Sequence, residues 1–190
     1  DILDIGGQST RPGAAEVSLQ TELERVIPVI QSIRADADER LSRSVISVDT
    51  TRSAVARAAV RAGADIVNDI SGGTYDRAML STVADLGVPI ILMHIRGTPE
   101  TMQQHTNYED LMGEVHEFLK HQISDAIAVG VQPNQIAIDP GIGFAKTYAQ
   151  NLHILRNLAE FHDLECPLLI GPSRKSFIGW ILDQPDPQRR

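Results

Sequence analysis

The chain has 190 residues, 42% of them hydrophobic and 4% aromatic, with 17 Lys and Arg set against 25 Asp and Glu for a net charge of -8. This is the composition of an ordinary globular domain; it offers no basic face to nucleic acid or to an anionic membrane, and any anion it binds must be held locally. Cys166 stands alone, which excludes an internal disulfide and a cysteine-rich zinc site, and no run of about 18 apolar residues or signal-peptide pattern is present. A cytoplasmic location is expected, and a mitochondrial one is compatible.

The first apolar run, Ile2–Gly7, reads as a buried strand and leads into a polar, glycine-rich loop, Gly6–Gly13. Leu19, Leu23, Val26, Ile27, Ile30 and Ile33 then repeat at helical spacing, with Pro28 predicting a kink. The pattern continues with strand Val45–Asp49, a helix through Val55, Ala58, Ala59 and Ala62, and strand Asp65–Asp69. Next come a helix through Met79, Leu80, Val83 and Leu86, strand Pro89–His94, and a helix through Leu111, Val115, Phe118, Leu119 and Ile123. Strand Gln135–Asp139, a helix through Leu152, Leu155, Leu158 and Phe161, and strand Pro167–Gly171 complete six strands, with a last helix holding Phe177, Ile178 and Trp180. Asp76 and Asn107 stand where helix N-caps are wanted, and Gly63, Gly87 and Gly130 where helices stop.

Regular alternation of strand and helix implies parallel strands with right-handed crossovers, in a doubly wound sheet or a closed barrel. A doubly wound nucleotide fold calls for a glycine fingerprint after its first strand, which Gly6-Gly7-Gln8-Ser9-Thr10 does not match. In a barrel every strand C-terminus opens on one mouth. Asp49, Asn68, His94, Asp139 and the Ser173-Arg174-Lys175 group all lie at strand ends. The expectation is an α/β chain, a single-domain (β/α)8 TIM barrel over 1–190. Eight strands close such a barrel and six are visible, so about one βα unit is expected to be missing at each end.

Asp49 also suits an N-cap, and Asp139 a turn before Pro140. The chemical alternative is that the two carboxylates and Asn68 read the edge of a flat heterocycle rich in N–H donors and ring acceptors. Gly171-Pro-Ser-Arg-Lys-Ser176, between a strand and a helix, suits an anion or an oxygen-rich ligand rim, with a solvated charge pair as the plainer reading. The Gly6–Gly13 loop is either a flexible connection or a mobile cover that brings Arg11 to a phosphate, with Ser9 and Thr10 as neutral donors. No histidine pair has metal-ligand spacing, and Met93 suits a pocket wall or a core filler.

Taken in order, Asp4–Gly13, Ser47–Thr50, Asn68-Asp69, Leu92–His94, Asp139–Phe144 and Ser173–Lys175 resemble the motifs of the dihydropteroate synthase family, a pterin-binding family, across the whole chain. The resemblance implies a transferase of folate biosynthesis that joins 6-hydroxymethyl-7,8-dihydropterin pyrophosphate to p-aminobenzoate, giving 7,8-dihydropteroate and pyrophosphate. It implies that Asp49, Asn68, Met93, Asp139, Phe144, Gly171 and Lys175 form the pterin site, with Asp49, Asp139 and Lys175 closest to the chemistry. Ser9, Thr10, Arg11, Pro12, Phe144 and Ser173 would border the p-aminobenzoate and pyrophosphate side. Magnesium is implied as cofactor, accompanying the pyrophosphate and a missing N-terminal loop, with no metal ligand in this segment. Sulfonamides are implied as competitors of p-aminobenzoate, nucleic acid and membrane are not expected as partners, and a homodimer is one assembly it allows. The rival readings are a pterin-binding corrinoid methyltransferase domain and a non-catalytic pterin-binding fragment of a larger polypeptide.

Overall fold

Five of the six apolar runs pair as parallel strands: β1 (Ile2–Gly6), β2 (Val45–Asp49), β3 (Ile66–Asp69), β4 (Ile90–Met93) and β5 (Ile136–Asp139). The computed structural model describes residues 1–189. Strand order follows the chain, β1-β2-β3-β4-β5. A doubly wound sheet reverses its order at a switch point; this one does not, and sequential order is that of a (β/α) barrel. Among the described residues it is an open five-stranded arc.

The sixth run is not a full strand. It makes one bridge, Ile138 to Leu168, in which the Ile138 N–H donates to Pro167 O at 2.9 Å and the Leu169 N–H to Ile138 O at 2.8 Å. Pro167 has no N–H to extend the ladder, and the exposed Leu169 and Ile170 have no strand on their far side among the described residues.

Helices α1 (Leu19–Arg34), α2 (Glu39–Ser42), α3 (Ser53–Ala62), α4 (Met79–Leu86), α5 (Leu111–Ala128), α6 (Tyr148–Arg156) and α7 (Ser176–Ile181) follow the strands. Ser18 caps α1 by accepting the Thr21 N–H, and α1 stays helical through Pro28 to Arg34. The expected fifth helical stretch splits: α6 ends at Arg156, and Leu158–Leu164 winds as a tighter 3-10 helix. Thr147 and Gln150 form a reciprocal capping box at the start of α6.

Two expected caps move. Asp110 rather than Asn107 caps α5, because its carboxylate accepts the Gly113 N–H at 3.1 Å, three residues on. The Asn107 carbonyl accepts from Arg96 instead. Asp76 does not cap α4, whose N-cap is Ala78. Its Oδ2 accepts the Ser53 N–H at 2.8 Å, at the start of α3, where the N-cap Arg52 supplies no side-chain bond.

Side chains alternate across each strand. Ile46, Val48, Val67, Ile90, Leu92, Ile136 and Ile138 face the helices and are buried. They pack with Val26 and Ile30 of α1, Val55 and Ala59 of α3, Val83 of α4 and Val115 and Leu119 of α5. Each such side chain contributes roughly 1.5–3 kcal/mol of burial. The opposite, concave face carries Asp4, Gly6, Ser47, Asp49, Asn68, Met93 and Asp139. Oil on one face fixes strand register, and register then fixes where the polar groups stand.

Candidate active site

Register places the chemical residues side by side. Gly6 is level with Asp49, Asp49 with Asn68, and Met93 with Asp139. A Cβ on Gly6 would sit 3.3 Å from the Asp49 Cβ, so a glycine there leaves the Asp49 side chain its space. Asn68 Nδ2 donates to Asp4 at 3.3 Å. Two residues below Asp49 on the same face, Ser47 Oγ is buried without a hydrogen-bond partner among the described residues, a polar floor that a ligand atom or water would satisfy.

Burial, then the nearby carboxylates Asp4, Asp69 and Glu22, push Asp49 up to about 7. Such a group holds its proton against solvent and ionises when a ligand's N–H groups donate to it, the proton leaving to solvent. Asp139 is pushed up to about 6 by burial, opposed by the Gly141 N–H, which donates to it at 2.7 Å, and by the charges of Lys146 and Lys175. One oxygen of Asp139 thus shapes the loop, as its turn reading expects, and the carboxylate faces two cations.

Phe144, Met93, Ile70, Ile95, Met102 and Ala145 form a separate apolar cluster at the mouth. Lys175, at the start of α7, lies across it, its Nζ 4.2 Å from the centroid of the Phe144 ring. Gly143 has φ 84°, and a Cβ there would meet the Lys175 side chain at 2.9 Å, so the bare glycine permits that approach. The pair named from sequence at this helix start parts company here: Lys175 turns into the mouth, while Ser173 and Arg174 are exposed beside exposed Gly171.

Of the β1–α1 loop residues, Thr10 lines a cavity of about 180 Å³ with Gln8, Glu22, Asp49, Thr50, Tyr75 and Pro99. That is below the roughly 300–1,000 Å³ usual for a whole drug-sized ligand, and suits a fragment of one. Ser9, Arg11 and Pro12 are exposed. The loop is fastened rather than free. The Gly13 N–H donates to Pro99 O at 3.1 Å, and the Val17 N–H to Gln8 Oε1 at 3.1 Å.

Sequence reasoning missed two groups. Buried Glu22 of α1 accepts from Thr50 Oγ1 at 2.6 Å and from Arg52 Nη1 at 2.7 Å, and Arg52 also holds Glu16 and the Val17 carbonyl. The signal was a glutamate on the core stripe of an amphipathic helix. Lys146, seven residues after Asp139, is 2% exposed; a lone lysine ending the apolar stretch Gly141–Ala145 marked it. Its Nζ lies 2.9 Å from His94 Nδ1, 3.1 Å from Gly141 O and 3.0 Å from Phe144 O. Among the described residues no three His, Cys, Asp or Glu side chains converge to hold a metal, and no helix is long and apolar enough to cross a membrane.

Fold and site thus define a parallel α/β barrel segment with a donor-seeking, carboxylate-bearing mouth beside an apolar wall. The chain belongs to the pterin binding enzyme family, which it matches over residues 1–190. It is 59% identical to the dihydropteroate synthase of Synechocystis over its whole length, covering 64% of that protein. All of it also superposes on the dihydropteroate synthase of Yersinia pestis in complex with a sulfonamide drug, with a TM-score of 0.92, 43% identity and 66% of that chain covered. The corresponding enzyme of Xanthomonas albilineans with 4-aminobenzoic acid gives a TM-score of 0.89 at 41% identity, with 65% of that chain covered. The chain therefore spans slightly less than two thirds of these relatives.

Proposed function

We propose that this chain supplies the pterin-binding mouth of a dihydropteroate synthase, the transferase that joins 6-hydroxymethyl-7,8-dihydropterin pyrophosphate to p-aminobenzoate. The observation that carries the reading is the juxtaposition of Asp49 with Asn68, and of Asp139 with Met93, Phe144 and Lys175. Two carboxylates accept from the N–H donors of the pterin edge, Asn68 gives and accepts, and Lys175 donates to a ring acceptor. Met93 and Phe144 cover the flat face, with Gly171 at the rim. Thr10, which lines the adjoining cavity with Asp49, is proposed together with Ser9, Arg11, Pro12 and Ser173 to border the p-aminobenzoate and pyrophosphate side.

The chemistry follows from charge. The methylene C–O bond breaks as pyrophosphate leaves with the electron pair, and positive charge spreads from the methylene into the ring. Ionised Asp49 and Asp139 stabilise that charge more in the transition state than in the ground state. The aryl amine forms the new C–N bond and loses its proton to solvent, so no strong base is needed. Magnesium is proposed as a companion of the pyrophosphate. No three His, Cys, Asp or Glu side chains converge among the described residues, and no step is routed through the ion. Sulfonamides are proposed to compete for the p-aminobenzoate position, and a soluble, homodimeric protein is part of the same proposal.

The test is to incubate the polypeptide carrying this chain with both substrates and magnesium, and to detect 7,8-dihydropteroate and pyrophosphate. Stoichiometric formation of both supports the reading. Binding of methyltetrahydrofolate in place of the pterin pyrophosphate, with no pteroate formed, overturns it.

A further inference from the structure

The proposed reaction gives Lys146 no role, yet it is among the most deeply buried charges of the chain. It sits at the end of the 139–146 turn, behind the residues that face the mouth. Its three ammonium protons match three acceptors, His94 Nδ1 at the end of β4 and the carbonyls of Gly141 and Phe144 in its own turn. Donation to Nδ1 requires a neutral His94 with its proton on Nε2, and burial does hold His94 well below its usual range. The turn closes tightly around the ammonium. A Cβ at Gly141, where φ is 73°, would lie 2.0 Å from the His94 carbonyl oxygen and 3.3 Å from Lys146 Nζ.

All three partners are neutral, so the charge of Lys146 is not cancelled by its hydrogen bonds. The groups facing it are Asp139 of β5, Arg96 of the β4–α5 loop and Lys175 of the α7 start. Those facing Asp139 are Lys146 and Lys175, with the Gly141 N–H. Arg96 has its own partner in the Glu114 carboxylate, which leaves Asp139 as the anion facing Lys146 and Lys175.

We propose that Lys146 is a positioning residue of the mouth: from behind it, the ammonium pins the Gly141 and Phe144 carbonyls, and so the loop bearing Asp139 and Phe144. It also supplies the buried positive charge that Asp139 faces while accepting hydrogen bonds from a ligand. The part of this that concerns a pterin rests on the function proposed above; the part that concerns Asp139 does not. Burial lowers Lys146 to about 7 and raises Asp139 to about 6, so both groups change charge in the same narrow pH interval and each feels the other.

The experiment reads the Asp139 carboxyl by carbon NMR against pH in the ligand-free protein, assigned with Asp139→Asn. In the parent protein the Asp139 signal should show a second inflection where Lys146 loses its proton. In Lys146→Met the Asp139 midpoint should move up by about one pH unit, the scale of losing a near opposite charge, and Lys146→Arg should restore it. Pterin titrations of the same proteins should show the acid limb of affinity moving with the Asp139 midpoint. An Asp139 midpoint that does not move in a folded Lys146→Met protein overturns the proposal, as does an equal midpoint shift in the Met and Arg variants. A moved midpoint with no pterin binding in any protein would instead leave the Lys146–Asp139 coupling standing and remove the proposed function.

Discussion

The ammonium of Lys175 lies 4.2 Å from the ring centroid of Phe144, and the two enclose the edge of the mouth from α7 and from the β5–α6 loop. A cation over an aromatic face contributes about 0.5–1 kcal/mol at an exposed site and more when dry, and a pterin sliding onto Phe144 would meet Lys175 at its rim. Lys175→Ala should therefore weaken pterin binding by roughly 1–3 kcal/mol, the cost of an unpaired acceptor. Lys120→Ala, on exposed α5 surface, should leave it within about 0.5 kcal/mol. Side-by-side titrations check this, and equal dissociation constants would reduce Lys175 to a solvated charge.

Asp49→Asn should separate binding from folding. Pterin affinity should fall by more than tenfold, which takes only about 1.4 kcal/mol. Stability should move the other way. Burial pushes the Asp49 carboxyl up to about 7, against an ordinary value of 3.8. The raised group stabilises the fold fully below pH 3.8, and that contribution is lost as pH rises through 7. Asn carries no such dependence, so the melting-temperature gap between variant and parent should grow in favour of the variant from pH 5 to pH 8. A gap constant with pH would show that Asp49 is already ionised at pH 5.

How far the sequence revealed this site depended on the range of the interactions. Asp49, Asn68, Met93 and Asp139 were legible because strand ends of a parallel barrel share one mouth, a consequence of period-two patterning and connection rules. Lys175 was legible from its awkward place at a helix start. Lys146 was not, because only the fold brings it beneath His94, fifty-two residues away in the chain. The sixth strand was overread for a related reason: Pro167–Gly171 has the composition of a strand, but a ladder also needs partners on its flanks. Asn107 was a sound cap by composition, displaced by Asp110 at better spacing.

Arg52→Met should be strongly destabilising. It would leave the carboxylate of Glu22, 3% exposed, with the Thr50 hydroxyl as its remaining side-chain donor among the described residues. Breaking a buried pair costs about 3–5 kcal/mol. Urea denaturation would show it, and amide exchange should quicken around Glu16 and Val17, which the same guanidinium holds. A midpoint unchanged from the parent would show that the Arg52–Glu22 pair contributes nothing to the stability of the fold.

The β1–α1 loop should respond to ligand in part only. Gly13 and Val17 are bonded to Pro99 and Gln8, whereas Ser9, Arg11 and Pro12 are exposed. Adding pyrophosphate and a pterin should slow amide exchange around residues 9–11 and leave Gly13 and Val17 nearly unchanged. Uniform slowing across the loop would show instead that its fastenings open in solution.

The bond from the Ser53 N–H to Asp76 has a further consequence for how this protein can be rebuilt. Helix α3 is finished at its N-terminus by a side chain belonging to the following loop, and the loop after β1 is tied in turn to Pro99 beyond β4. No rim segment is therefore a self-contained module. A chimera that imported the 70–78 segment from a distant relative without an acidic residue at its equivalent of Asp76 would leave α3 with an orphan donor next to Asp49. Exchangeable parts here are pairs of neighbouring segments, transplanted with the contacts they share.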